Sequence, residues 1–437
     1  MRRSEKARAH RTAWRASSAR RRGAIVALAA AAGLALPAQS AAAGDKAAVG
    51  ESAALTPQEG TTIGFWAGEA VPGTDWNLRN TYWNRQDTHA YTPYLWRVLR
   101  RYQIPLYFNL RYQRDFGPVP PGQPRRHDAM RIIRTANRLG VPVWGWVLIP
   151  YADGYWAWES AAGEQFDAVR ALANWARAKR LRLRGLVIDP EPRIRGNPFE
   201  TTAAIMGGRS DAGLYSLFQQ TIDPAGQCSA WRGYARIPRW GRRRKISIAA
   251  APTPTVLDDL RDGNLALQDA IGFILPDAPW SELYFQAYRS VASYFSGHDP
   301  GPGMVSSYLR SARREFGDTG QITLGSAGHG PYRRLSPLIR DVRLAATLGA
   351  RTLPIYSLER TLRAYGGPRA VVRLVKAAQH PYTASKAIGS AAPSLRTRAL
   401  RAAVRRADNA AAAATHAVAA TRGGPPRPNT WSHSCRR

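Results

Sequence analysis

The chain has 437 residues, 44% of them hydrophobic, including 14 tryptophans; that is ample for a packed core, in one large barrel or in two to three smaller domains. Its formal net charge is +33, of which residues 1–43 carry +8 (nine Lys/Arg, one Glu), leaving +25 for the remainder. Such a surface attracts polyanions, and the two cysteines, Cys228 and Cys435, allow one disulfide at most and no Cys-x-x-Cys metal site.

Residues 1–22 are basic, 23–37 form an apolar Ala/Leu run too short to span a bilayer, and Ala41, Ala42 and Ala43 offer small residues for cleavage. This pattern predicts an export signal over 1–43, with Arg20, Arg21 and Arg22 hinting at the twin-arginine route. No later stretch is long and apolar enough for a membrane helix. The expected product is secreted or associated with a cell wall. Residues 44–60 read as a linker.

Strands are then expected at 61–66, 104–110, 141–149, 185–188, 246–250, 283–288, 321–325 and 351–357, each a short apolar run bounded by turn signals. Between them, apolar residues at helical spacing predict helices over 93–103, 126–139, 162–179, 212–221, 254–273, 303–316, 336–348 and 361–378. Gly140 and Gly349 are natural helix stops. Eight strand–helix alternations over 61–384 predict an α/β fold, a (β/α)8 TIM barrel, with an open doubly wound sheet as the rival. Residues 385–437 are a basic Ala/Arg-rich extension carrying +9. It reads either as a solvated appendage or as an electrostatic tether to anionic wall polymers.

The chemistry concentrates after the fourth strand, at Asp189-Pro190-Glu191-Pro192. Side chains two apart in an extended segment point the same way, and a barrel keeps its chemistry at the carboxyl ends of its strands. The competing reading is a solvated turn with an N-capping Asp. Glu191 is the candidate general acid, its pKa raised by repulsion from an adjacent Asp189 anion. Glu359 follows the eighth strand beside Arg360, where a surface ion pair or a contact to substrate is expected. Trp66, Trp146, Trp280 and Tyr356 are candidate platforms for sugar faces, Trp146 and Trp280 being placed nearest the mouth. The seventh strand ends without a carboxylate. His329 stands between two glycines, but no His-x-x-x-His pattern accompanies it, so no metal or other cofactor is expected. A Gly-x-Ser-x-Gly elbow is absent.

Residues 246–252, 285–288 and 322–330, together with the Asp-x-Glu at 189–191, resemble the fifth, sixth, seventh and fourth strands of family 18 glycoside hydrolases, the chitinases and their relatives. The resemblance implies Glu191 as general acid and Asp189 as the group that orients the substrate's acetamido arm. That arm's carbonyl oxygen then serves as internal nucleophile, with Tyr288 donating a hydrogen bond to it. The sequence departs from the pattern at Arg184 and Val187, where the family's two earlier aspartates stand. It departs again at Arg289, where Asp is usual, and near Tyr356, where Trp is expected. Asp189 and Glu191 also look like the strand-four acids of family 25 lysozymes, whose strand-one aspartate has no counterpart here.

The expectation is therefore an exported glycosidase-like barrel acting on N-acetylated or anionic cell-wall polysaccharide. The alternatives are a barrel that binds glycans without cleaving them, and a phosphodiester- or metal-dependent hydrolase using Asp189, Glu191 and His329. Nucleic acid is not an expected partner.

Overall fold

A computed structural model describes residues 60–69, 88–119, 121, 127–150, 156–191, 224–262, 267, 268, 272, 275–383 and 392–421. The export signal, nearly all of the linker, the helix expected at 212–221, Cys435 and the residues after 421 lie outside these.

Eight parallel strands close in chain order, β1 hydrogen-bonding to both β2 and β8. They are β1 (Thr62–Ala67), β2 (Leu106–Arg111), β3 (Val143–Leu148), β4 (Gly185–Ile188), β5 (Ser247–Ala250), β6 (Leu283–Gln286), β7 (Gly320–Gly325) and β8 (Thr352–Tyr356). Closure excludes the open sheet. The main helices are α1 (Pro93–Arg101), α2 (Asp128–Leu139), α3 (Ala162–Ala178), α4 (Pro224–Arg244), α5 (Val256–Asp262), α6 (Arg289–Ser296), α7 (Pro302–Phe316), α8 (Leu335–Thr347), α9 (Leu358–Ala364), α10 (Pro368–Gln379) and α11 (Leu395–Thr421).

Alternation along each strand sorts side chains into two cores. Phe65, Ala67 and Phe108 pack outward against the helices, whereas Trp66 and Tyr107 between them point into the barrel. The interior is filled by Trp66, Tyr107, Trp144, Trp146, Leu148, Val187, Ala249, Ala251 and Tyr284. Large rings on β1 to β3 face alanines on β5, so one wide and one narrow wall together fill the cylinder. Gly185 belongs to this fit: a Cβ there would lie 2.4 Å from the Trp144 ring.

Several expected elements take a different form. The 361–378 helix is two, α9 and α10, because Gly366 and Gly367 have φ of 78° and 92°, and Pro368 then starts the second. Helix α4 was not foreseen, since Gly233, Pro238 and Gly241 dilute its helical signal. Gly233 is nevertheless required, because a Cβ there would meet Ala162 at 2.7 Å where α3 and α4 cross.

The start of α11 is not a solvated appendage. Ser394 caps it by accepting from Thr397 N, and the Thr397 hydroxyl donates to Pro300 O at 2.7 Å. Arg401 reaches the buried Asp258 with its Nε 2.8 Å away, and also contacts Ser307 and Ser311. Leu400 and Val404 lie against the outer core. Cys228 is buried and disulfide-bonded.

Candidate active site at the mouth of the barrel

β4 ends at Ile188, and two hydrogen bonds hold the chain just beyond it. Ala251 N donates to Ile188 O at 2.9 Å, and Ala157 N donates to Asp189 O at 3.0 Å. Asp189 is buried and Glu191 half-buried above it. The two carboxyls are bridged by a residue that sequence reasoning overlooked, Gln286 at the end of β6. Its Nε2 lies 2.8 Å from Asp189 Oδ1, 2.7 Å from Glu191 Oε1 and 2.8 Å from Ala251 O. Two N–H groups thus serve three acceptors. The one signal available was parity, since Gln286 shares a face of β6 with Tyr284 and Tyr288.

Burial dominates the electrostatics. It pushes Asp189 well above the usual carboxylate range, helped by the charge of Glu191 and their mutual hydrogen bond. Burial also lifts Glu191 to about 7, while the hydrogen bonds from Gln286 and Asp189 pull the other way. This corrects the sequence expectation that repulsion from an Asp189 anion would raise Glu191: here desolvation raises it, and Asp189 is the member raised by its neighbour's charge. The two carboxyls interact closely enough to titrate as one unit.

Aromatic groups surround the pair. Tyr288 is half-buried; its hydroxyl is raised by burial, by the Asp189 charge, by Tyr356 and by Glu191, and is held by Thr323. Thr323 Oγ1 also accepts from Trp66 Nε1 at 2.9 Å and donates to Pro354 O at 2.9 Å. The Tyr356 ring lies 5.9 Å from that of Tyr288 and meets Trp146 edge-on at 6.3 Å. The Trp146 indole N–H favours the charged form of Asp189, yet it makes no hydrogen bond of normal geometry among the described residues. Non-proline cis peptide bonds join Gly325 to Ser326 and Tyr356 to Ser357.

The fold thus brings Asp189, Glu191, Tyr288, Tyr356 and Trp146 together, with Trp66 forming the floor. It does not bring Trp280 there. Trp280 precedes β6, on the opposite side of the strand from the mouth, and packs in the outer core with its Nε1 donating to Pro276 O at 2.9 Å.

Glu359 is also displaced from its expected role, because it is fully buried and not part of a surface pair with Arg360. Its Oε1 accepts from Gly68 N at 2.8 Å and from the Tyr91 hydroxyl at 2.9 Å. Burial, then the charge of Glu69, lifts it to about 7. Arg360 pairs instead with Glu69 at 2.7 Å, contacts His329 Nε2 at 2.9 Å and lies over the Tyr356 ring. His329 therefore serves the rim of β7 and β8. Among the described residues no three His, Cys, Asp or Glu side chains gather as a metal site.

The sequence matches no protein-family model and no curated protein. Solved structures similar to it include a family 1 β-glucosidase from Thermotoga maritima, 13% identical, covering 69% of this chain and 88% of that one, with a TM-score of 0.41. Another is a GH5 family lichenase from Caldicellulosiruptor sp. F32, 11% identical, covering 72% and 92%, with a TM-score of 0.44. A mandelate oxidase, 15% identical over 71% of each chain, has a TM-score of 0.32. These likenesses are ones of fold alone.

Proposed function

We propose that the barrel is a glycosidase acting on an N-acetylated polysaccharide of the cell wall, with Glu191 as general acid. The observation that carries this reading is the Asp189–Glu191 pair, joined by Gln286 at the mouth of β4, with burial lifting Glu191 to about 7. Glu191, the more exposed member, gives its proton to the glycosidic oxygen as the bond to the anomeric carbon breaks. Asp189 lies beneath it and orients the acetamido arm, whose carbonyl oxygen bonds to the anomeric carbon in place of a protein nucleophile. Water then attacks that carbon and displaces the acetamido oxygen, whose carbonyl re-forms, while Glu191 takes up the water's proton. Tyr288 and Trp146 supply O–H and N–H donors on the side of Asp189, which suits an acceptor oxygen there. An export signal and a wall location complete the proposal.

Release of reducing ends from N-acetylated wall glycan, with retained anomeric configuration, is the expected result for the native protein. The Glu191→Gln protein should still bind the glycan and release none. Equal turnover by the two proteins removes Glu191 from the reaction.

A second reading is favoured by Arg184, Val187 and Arg289, which stand where the resembling family has acids. Arg289 is committed elsewhere, to Asp341 at 2.5 Å and to Asp299. On this reading the barrel binds glycan without cutting it, and the native protein would bind while releasing no reducing ends.

A further inference from the structure

In a β/α barrel the strands run toward the mouth and the helices return to the opposite end, so every helix-to-strand connection lies on the face away from the site. In four consecutive connections, those entering β2, β3, β4 and β5, this face is basic. They carry Arg100 and Arg101, Arg138, four cations within 179–184, and the run 242–245, all exposed, and no Asp or Glu. None of these eleven cations forms an ion pair with a described residue.

The nearest acids lie on the other half of the same face. Glu282 opens β6 and feels Arg184 and Arg351, while Asp318 and Glu315 are matched by Arg313, Arg351 and Arg314. The acids Glu69, Asp189, Glu191 and Glu359 are all at the mouth.

Helix dipoles account for part of this, since a cation in the last turn is stabilised by the helix C-terminus. They account for Arg242, Arg243 and Arg244 in the last turn of α4 and for Arg182, whose guanidinium donates to Asn137 O at the end of α2, but not for Arg184, past the end of α3, or for the lack of any acid in these connections. Like charges crowded on one exposed face repel, and an uncompensated cluster of this kind is the footprint of a polyanion site. The partner's chemistry follows from what the face lacks. The large hydrophobic side chains exposed among the described residues are Tyr94 and Leu395, at the starts of α1 and α11, away from this face. Among the described residues it therefore offers no large apolar side chain that is fully exposed to a bilayer, and the half-buried Tyr102 ring on it is covered by Arg101 and so closed to a stacking base.

We propose that the amino-terminal face of the barrel, over β2 to β5, binds a hydrophilic polyanion, specifically an acidic polysaccharide, and holds the mouth pointing away from it. The choice of a polysaccharide over other polyanions rests on the saccharide reading of the mouth. The site itself does not, so binding is measured in the full-length Glu191→Gln protein, where cleavage plays no part.

The probe is polygalacturonate, with neutral dextran as control, titrated across a range of salt. The protein should bind the polyanion, ignore dextran and weaken steeply with salt. Removing three charges with R242Q/R243Q/R244Q should weaken binding about tenfold or more at low salt and flatten the salt dependence. Removing three from α11 with R396Q/R398Q/R406Q should change it less than about twofold. R101Q/R138Q provides an independent test on the same face should the triple variant fail to fold. Unchanged binding in both face variants overturns the proposal, as does loss of binding in the α11 variant alone. Tighter binding to duplex DNA or to anionic phospholipid vesicles than to polygalacturonate also overturns it.

Discussion

Glu191 has to hold its proton to act as an acid, and at about 7 it does so only on the acid side of neutrality. Hydrolysis should therefore show an alkaline limb near that value, measured as kcat/KM against pH. The same shift predicts stability. Asp189 and Glu191 both have folded-state pKa values above those of the unfolded chain, so protonation favours the fold. Their contribution is fully present below the unfolded carboxylate values and is lost as pH rises through the folded ones. Melting temperature should fall between about pH 4.5 and 7, and fall less in Glu191→Gln; Asp189 and Glu359, the latter also pushed up to about 7, contribute the remainder in both proteins. Gln286→Leu removes the donor that joins the two acids. With the carboxyls no longer held, kcat should drop about a hundredfold. Because Gln286 lowers the pKa of Glu191, the alkaline limb should also move upward, a shift that a merely loosened fold would not produce.

Elements in this barrel are set close by glycines, and the closeness can be tested. A Cβ on Gly320 would lie 2.2 Å from Ala312 O, a backbone atom of α7 that cannot turn aside. Gly320→Ala should therefore cost about 1–3 kcal/mol or more, measured by urea denaturation. Gly163, exposed near the start of α3, has nothing within 4 Å of its Cβ position. Gly163→Ala should stabilise by about 0.4–1 kcal/mol, because the alanine restricts the unfolded chain more than the folded one. The pair separates close approach from backbone freedom as the reason for a glycine.

At the scale of the molecule, α11 is a structural part of the barrel through its first turns. Arg401 is the cation over Asp258, which is fully buried and further held by the Tyr308 hydroxyl at 3.1 Å. Arg401→Ala leaves that carboxylate without its charge partner and should cost about 3 kcal/mol. Hydrogen exchange over 395–408 should then be faster than exchange in α7. An α11 that exchanged fast in the native protein would mean that the helix is not docked there.

The strand–helix rhythm was legible in the sequence because each strand is a short apolar run and each helix has its own periodicity. Both are local properties, and eight repeats leave few architectures. The position of Asp189 and Glu191 was legible for the same reason: two acids immediately after an apolar run fall at a strand end. Trp280 and Glu359 were misplaced because nearness in sequence to a strand says nothing about which end or which side of it a residue occupies. Gln286 was invisible, since a glutamine carries no pattern until closure sets β6 close to β4. The source of the Glu191 shift was likewise out of reach, because desolvation depends on what surrounds a group in space. Composition revealed the excess of arginine, but only the common direction of strands and helices gathers the cations before β2 to β5 on one face. Periodicity and residue type are encoded along the chain; sidedness, burial and the meeting of distant side chains exist only once the cylinder has closed.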